Sequence, residues 1–426
     1  MKQKLINGFA DDKGHLAIDG MDVIPLAEKY GTPLIVISEN RIRNNIKMLV
    51  NAVSSNFEDY EIKYAVKANP NPSILSIVKE EGLGIDASSL NEATLAIKMA
   101  FKPGNILFTP NFASKEELLW ASNSGMPINF DSVSQLAQVS GKVPETVSFR
   151  IKIDYGKGEF KGTTTSGHDA KFGILESESI EAYKTAKKMG ARKFGIHVMA
   201  GSNVMDPNHF RKVAESVLTV MKNISEHTGI AFDFVDLGGG LGVPYRPEEQ
   251  PLDLKKVFEF IHTSFKKILG KGPFPRLCIE PCRYIVADSS ILLGTVTDVK
   301  IQEKKFLGSD ISMNTLIRPA LYGAKHHMVL ANKLDSQING KYEVVGQICE
   351  NTDRIGKSVS FPNPEVGDLV AVFDAGAYVA SMASNYNGRP IPAEIIIRDN
   401  KPILVRKRST YSDYISNYSG VSNKAE

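Results

Sequence analysis

From Glu61 to Glu280, short apolar runs alternate with stretches whose apolar residues recur at helical spacing. EIKYAV (61–66) precedes NPSILSIVKEEG, apolar at Ile74, Leu75, Ile77 and Val78, which line one helix face. GLGIDA leads into SLNEATLAIKMA, where Ser89 is placed to cap a helix and Glu92 to complete a capping box. NILFTP leads into SKEELLWASNSG, with Ser114 and Glu117 in the same relation, and MPINFD leads into SVSQLAQVSG. TVSFRIKI precedes a polar, Gly-rich excursion (156–170) and then SIEAYKTAKKMG. KFGIHVMA precedes a helical stretch to about His227, FDFVDLGGG another around Leu254–Leu269, and RLCIEP closes the series.

About eight strand–helix units with parallel crossovers predict an α/β chain built on a (β/α)8 TIM barrel. An open doubly wound sheet is the alternative; the strand count and the short units favour the barrel. Chemistry in such a barrel sits at the C-terminal ends of the strands. Those positions hold Lys67, Asp86, Pro110, Asn111, Asp131, His197, Gly238–Gly240 and Glu280.

After Glu280 the pattern changes to β-like runs, YIVADSSILLGTVTDVKIQ, YEVVGQICE, DLVAVFDAGAY and AEIIIRD, with turns at FPNPEVGD and NGRPIP. This predicts a mostly β C-terminal domain, completed by the N-terminal strand-like pieces LAIDG and PLIVIS. The expected borders are 1–38 for the N-terminal segment, 39–284 for the barrel and 285–426 for the β-rich domain. The final stretch, SNYSGVSNKAE, reads as a frayed tail.

Composition narrows the possibilities. A length of 426 residues exceeds what one hydrophobic core usually spans, which agrees with two domains. A net charge of +3 gives no basic face and argues against nucleic acid as a partner. No apolar run approaches the ~20 residues of a membrane span, and the N-terminus lacks a signal-peptide core. Three cysteines, Cys278, Cys282 and Cys349, do not make a disulfide framework and fit a reducing, cytoplasmic setting. Cys278 and Cys282 have no spaced Cys/His partner pair, so no metal site is expected.

Several strand-end residues carry two readings each. Lys67 in YAVKANPNP follows an apolar strand; it is either a desolvated nucleophile toward a carbonyl or a lysine snorkelling at the strand end. The glycines of DLGGGLGVPY form either an anion cradle or a tight turn. They are not a dinucleotide fingerprint, since Pro244 follows where a helix would open. His197 sits beside a ligand or is a satisfied hydrogen-bonding residue. Glu280 in IEPCR faces a ring nitrogen or pairs with Arg283. Around one barrel mouth, a lysine, an anion cradle, a histidine and a glutamate together suit pyridoxal phosphate.

With these residues in place, the chain resembles the fold-type III pyridoxal-phosphate decarboxylases, and within them the branch that acts on diaminopimelate. The match runs over nearly the whole chain and rests on YAVKAN, GIHVMAGSN, DLGGGLGVPY, EPCR, RPALYGA, CENTD and DAGAYVASMASNYNGRPIPAEIII. The resemblance implies that Lys67 holds pyridoxal 5'-phosphate covalently, that His197 stacks on its ring and that Glu280 pairs with the ring nitrogen. It implies that Ser202, Gly238, Gly239, Gly240 and Tyr378 surround the phosphate. Arg283, Arg318 and Tyr322, with Tyr378, would bind the distal carboxylate of the substrate, and Glu350 its distal ammonium. Cys349 would donate a proton at the reacting carbon. The Cys–Glu segment would reach the partner's active site, making an obligate homodimer.

The implied reaction is decarboxylation of meso-2,6-diaminopimelate to L-lysine. The alternatives are a decarboxylase of ornithine, lysine, arginine or carboxynorspermidine, a racemase, and a non-enzymatic cofactor carrier. Two guanidiniums suit a distal carboxylate because their planar fork matches it in two-point geometry. A racemase favours a partner at the ring nitrogen such as arginine, which Glu280 is not, and a carrier lacks the β domain. The sequence departs from the family at Cys282, where glycine is usual, and at Asn351 and Thr352, which replace Ser-Gly. The excursion at 156–170 has no counterpart. The stretch QICENTDRIG, which in isolation also allows a metal half-site, a redox thiol or a turn, is expected to be a substrate-choosing loop.

Overall fold

The apolar runs from Tyr60 onward become the strands Tyr60–Ala65, Gly84–Ala87, Ile106–Phe108, Ile128–Phe130, Thr146–Lys152, Lys193–His197, Phe234–Asp236 and Arg276–Ile279. This computed structural model describes residues 2–6, 9–160, 165–167, 169–416 and 418–419, the side chains of 10–12 excepted. All neighbouring pairs of these strands run parallel, and the last returns to the first with Ile279 opposite Ile62, so the ring closes. The expected (β/α)8 barrel is the fold of this part of the chain. A further short strand, Ile174–Leu175, extends the ladder at the end of Thr146–Lys152.

Helices between the strands start where the serines predict. Ser114 accepts from the Glu117 N–H while the Glu117 carboxylate accepts from the Ser114 N–H, which completes the capping box. At Ser89 the box is offset: the hydroxyl accepts from Glu92 N–H, but the Glu92 carboxylate takes Ser88 N–H at 2.7 Å. Ser132 caps Val133–Gln138 in the same manner. The excursion at 156–170 includes residues 161–164 and 168, which lie outside the described ones, as do residue 417 and residues 420–426 of the expected frayed tail. Its opening residues, Lys157–Gly158, pair in parallel with Gly201–Ser202.

The chain divides into two compact units: 43–244 with 250–285, which holds the barrel, and 1–42 with 245–249 and 286–426. In the second unit the long strand Ser290–Ile301 pairs with Leu34–Ser38, Lys305–Ser309 and Leu369–Val372. Leu34–Ser38, from PLIVIS, also pairs in parallel with Ala393–Arg398, so an N-terminal strand does complete the C-terminal sheet. LAIDG behaves differently. It supplies His15–Ile18 to a separate three-stranded sheet with Ala10–Asp12 and Met21–Asp22. Leu16 and Ile18 still reach the same buried core as Leu34, Val36, Ile291 and Phe373, so hydrophobic burial places the segment where strand pairing does not.

Candidate active site

In a parallel barrel, residues opposite one another on adjacent strands point the same way, and the register brings Arg150, His197 and Asp236 side by side. Glu280 follows the strand Arg276–Ile279, and its Oε2 lies 3.3 Å from His197 Nε2. One polar atom from each of His197, Asp236 and Glu280 lies within 4.8 Å of the others, all buried. Lys67 sits in a single 3-10 turn, Val66–Ala68, after the first barrel strand, and its Nζ is 3.5 Å from Asp86 Oδ2. The lysine side chain is 41% exposed and its carboxylate partner 1% exposed.

Burial sets the charges here. Burial pushes Asp86 up to about 7, helped by the nearby Glu280 and opposed by the charge of Lys67. Asp236 is likewise pushed well above the usual carboxylate range by burial and by Glu280. Glu280 goes the other way: burial raises it, but the charge and hydrogen bond of His197, with Lys67 and Arg150, hold it at about 2. Glu280 is therefore the carboxylate of the cluster that stays ionised.

The glycine turn is packed too tightly for any other residue. A Cβ at Gly238 would lie 2.6 Å from the Val198 carbonyl oxygen, and Gly238 and Gly240 have φ of +65° and +94°. Gly239 would meet the Glu280 carbonyl oxygen at 2.5 Å. Asp236 Oδ1 accepts the Gly238 N–H at 2.8 Å and fixes the turn. Arg283 Nη2 donates to Ser202 Oγ at 3.4 Å, so those two residues meet. The departure Cys282 is buried, and its carbonyl accepts the Ile285 N–H.

The other predicted residues belong to the sheet unit. Arg318 is 2% exposed; its guanidinium lies 4.8 Å from the Tyr245 ring centre and donates to His326 Nε2 at 2.8 Å. His326 Nδ1 in turn donates to the Phe373 carbonyl at 2.8 Å, which fixes the tautomer. Tyr322 ends the short helix Arg318–Tyr322 and is half-buried. Tyr378 holds a left-handed backbone, φ +60°, unusual for a bulky residue. Cys349 and Glu350 are exposed, and Glu350 accepts hydrogen bonds from Tyr386 OH and, at 3.0 Å, from Thr352 Oγ1.

The comparisons with known proteins bear on what this arrangement serves. Residues 43–287 match the family model described as pyridoxal-dependent decarboxylase, pyridoxal binding domain. The chain belongs to the pyridoxal-dependent decarboxylase family. Residues 283–376 match the C-terminal sheet domain of the same family. A diaminopimelate decarboxylase of Methanothermobacter thermautotrophicus is 42% identical over 95% of this chain and 96% of its own length. One from Thermoplasma acidophilum is 41% identical over 95% and 98%. The crystal structure of the diaminopimelate decarboxylase from M. jannaschii in co-complex with L-lysine superposes with a TM-score of 0.87 at 31% identity, covering 96% of each chain.

The residues of this decarboxylase fit a pyridoxal cofactor. Among the described residues, Glu280 Oε1, His197 Nδ1, Asp86 Oδ1 and Asp236 Oδ2 are buried with no partner, a costly arrangement that a polar ring would relieve. An ionised carboxylate answers a protonated ring nitrogen, and the glycine turn with Ser202 answers a phosphate. Two members of the cluster escaped the sequence: Arg150, 6% exposed and stacked 4.3 Å from the Phe172 ring centre, and Asp236. Asp353 escaped it too. It is 2% exposed and accepts the Met313 and Ile348 N–H groups, each at 2.7 Å, which shapes the loop carrying Cys349.

Proposed function

We propose that this chain removes CO2 from meso-2,6-diaminopimelate to give L-lysine, with pyridoxal 5'-phosphate as cofactor. The observation that carries the cofactor chemistry is Glu280, a buried carboxylate held ionised beside His197 with one oxygen that has no partner among the described residues. The names and near full-length identity of the relatives support the substrate.

Lys67 would hold the cofactor, His197 would face its ring, and Glu280 would accept from its nitrogen. Ser202, Gly238, Gly239, Gly240 and Tyr378 would bind its phosphate. When bound, the cofactor supplies an electron sink for the bond that breaks as CO2 leaves. Arg318, fixed between Tyr245 and His326, would grip the distal carboxylate together with Arg283, Tyr322 and Tyr378. Glu350, oriented by Tyr386 and Thr352, would take the distal ammonium. Thr352, one of the departures, thus supports Glu350 rather than displacing it. Cys349 would deliver the proton that replaces CO2. In this reading the enzyme is a cytoplasmic homodimer in which each subunit lends its Cys349–Glu350 loop to the other.

The deciding assay compares CO2 release from meso-diaminopimelate, ornithine, lysine and arginine by the purified protein. Diaminopimelate is expected to react fastest; faster release from any of the other three overturns the substrate assignment.

A further inference from the structure

The turn that follows Ser384 places donor side chains along the loop that carries Cys349. Arg389 Nη1 donates to Gln347 Oε1 at 2.6 Å, Tyr386 OH donates to Glu350, and Asn387 Nδ2 donates to Cys349 Sγ at 3.1 Å. Residues 386, 387 and 389 therefore hold residues 350, 349 and 347 in antiparallel order. Asn387 has φ +54° and ψ +27°, the left-handed region that asparagine tolerates better than most residues with a Cβ. That backbone sits within the short turn Tyr386–Gly388, beside Tyr386, whose hydroxyl is bound to Glu350. A non-glycine residue held in this conformation marks a position where the surrounding contacts outweigh the local cost.

The chemistry of the contact is directional. An amide N–H offers nothing to a sulfur's proton but stabilises a sulfur that carries negative charge. We propose that Asn387 is a positioning residue for Cys349, holding its sulfur and steadying the thiolate left once Cys349 has given up its proton. The inference rests on the reading of Cys349 as the proton donor. In that step the S–H bond breaks and a C–H bond forms from the electron pair on the carbon that lost CO2. Sulfur keeps the S–H pair, and a solvent proton later restores the thiol. Tyr386 and Thr352 act on the neighbouring Glu350, so substrate choice and proton delivery are served by separate donors.

Alkylation of the full-length holoenzyme by iodoacetamide at fixed pH tests this, because Cys349 is exposed while Cys278 and Cys282 are buried. Asn387→Asp keeps the size and the left-handed backbone but sets a carboxylate against the sulfur. Asn387→Gly suits the backbone and simply removes the donor. Alkylation of Cys349 is expected to slow by about tenfold in Asn387→Asp, the factor a charge-assisted hydrogen bond is worth, and less in Asn387→Gly. The turnover number should fall in both variants while KM stays within about twofold, as for an interaction used only in the chemical step. Unchanged alkylation in both variants overturns the proposal. An undiminished turnover number in Cys349→Ala instead overturns the proton-donor reading on which it rests.

Discussion

His197 and Glu280 form one buried pair, Nε2 to Oε2 at 3.3 Å, with the side chains 1% and 3% exposed. Burial alone would favour a neutral Glu280, yet the charge and hydrogen bond of His197 outweigh it and hold the carboxyl at about 2. The carboxylate is thus charged throughout the range in which proteins of this kind work. Glu280→Gln keeps the shape and removes that charge. It should lower kcat/KM by roughly 10²–10³-fold, as for loss of one preorganised electrostatic partner. A loss below tenfold in a CO2-release assay would show that the charge is not what the site uses.

Asp86 gives a pH dependence of the opposite sign. Its folded value of about 7 lies above its ordinary 3.8, because burial and then Glu280 outweigh the attraction of Lys67. A carboxyl raised on folding contributes stability that is fully present below its unfolded value and is lost as pH rises through the folded one. Between pH 4 and pH 7 the wild type should therefore lose stability relative to Asp86→Asn, which has no proton to lose. Urea unfolding of both proteins without cofactor, at pH 5 and pH 8, reads this directly. A difference between them that does not shift in favour of Asp86→Asn at pH 8 refutes the assignment.

What the sequence made legible was local. Apolar runs, serine caps and strand-end positions revealed the barrel and put Lys67, His197 and Glu280 at its strand ends, because each signal lies within a dozen residues. Arg150 and Asp236 were hidden inside the strands Thr146–Lys152 and Phe234–Asp236, where only the pairing of His197 with both reveals that they flank it. Tyr245 was assigned to the barrel by chain order, yet Tyr245–Glu249 groups with the sheet unit, where Tyr245 supports Arg318. The helix Glu39–Ser54 lay ahead of the repeating pattern and was not anticipated. For Arg150, Asp236 and Tyr245 the missing information was a contact between residues far apart in the chain, whereas the helix has its own local signal in Ile42, Ile46, Leu49 and Val53.

The glycine turn offers a test of the proposed phosphate site. A Cβ at Gly239 would stand 2.5 Å from the Glu280 carbonyl oxygen, a backbone atom that has no side-chain freedom to yield. Gly239→Ala should therefore shift the turn and weaken cofactor binding by about tenfold or more, the cost of displacing one charge-assisted backbone contact. Gly104→Ala is the control, since nothing lies within 4 Å of its added Cβ. Titration of the cofactor's visible absorbance would compare the two, and equal affinities would mean that the turn does not bind the cofactor.

Asp353 is the buried residue of CENTD, and its contacts shape the loop. Its carboxylate takes the N–H groups of Met313 and Ile348, each at 2.7 Å, and its own N–H donates to the Glu350 carbonyl at 3.0 Å. An asparagine in its place offers one acceptor oxygen and turns an NH2 toward the second N–H. Leaving a buried donor unsatisfied costs about 1–3 kcal/mol, so Asp353→Asn should unfold at correspondingly lower urea. The cofactor absorbance should be unchanged, since Lys67 and Glu280 belong to the barrel unit. KM for the substrate should rise, because Glu350 is then less firmly oriented. A variant with wild-type KM and lowered stability would separate the two roles and leave Asp353 as a support of the fold alone.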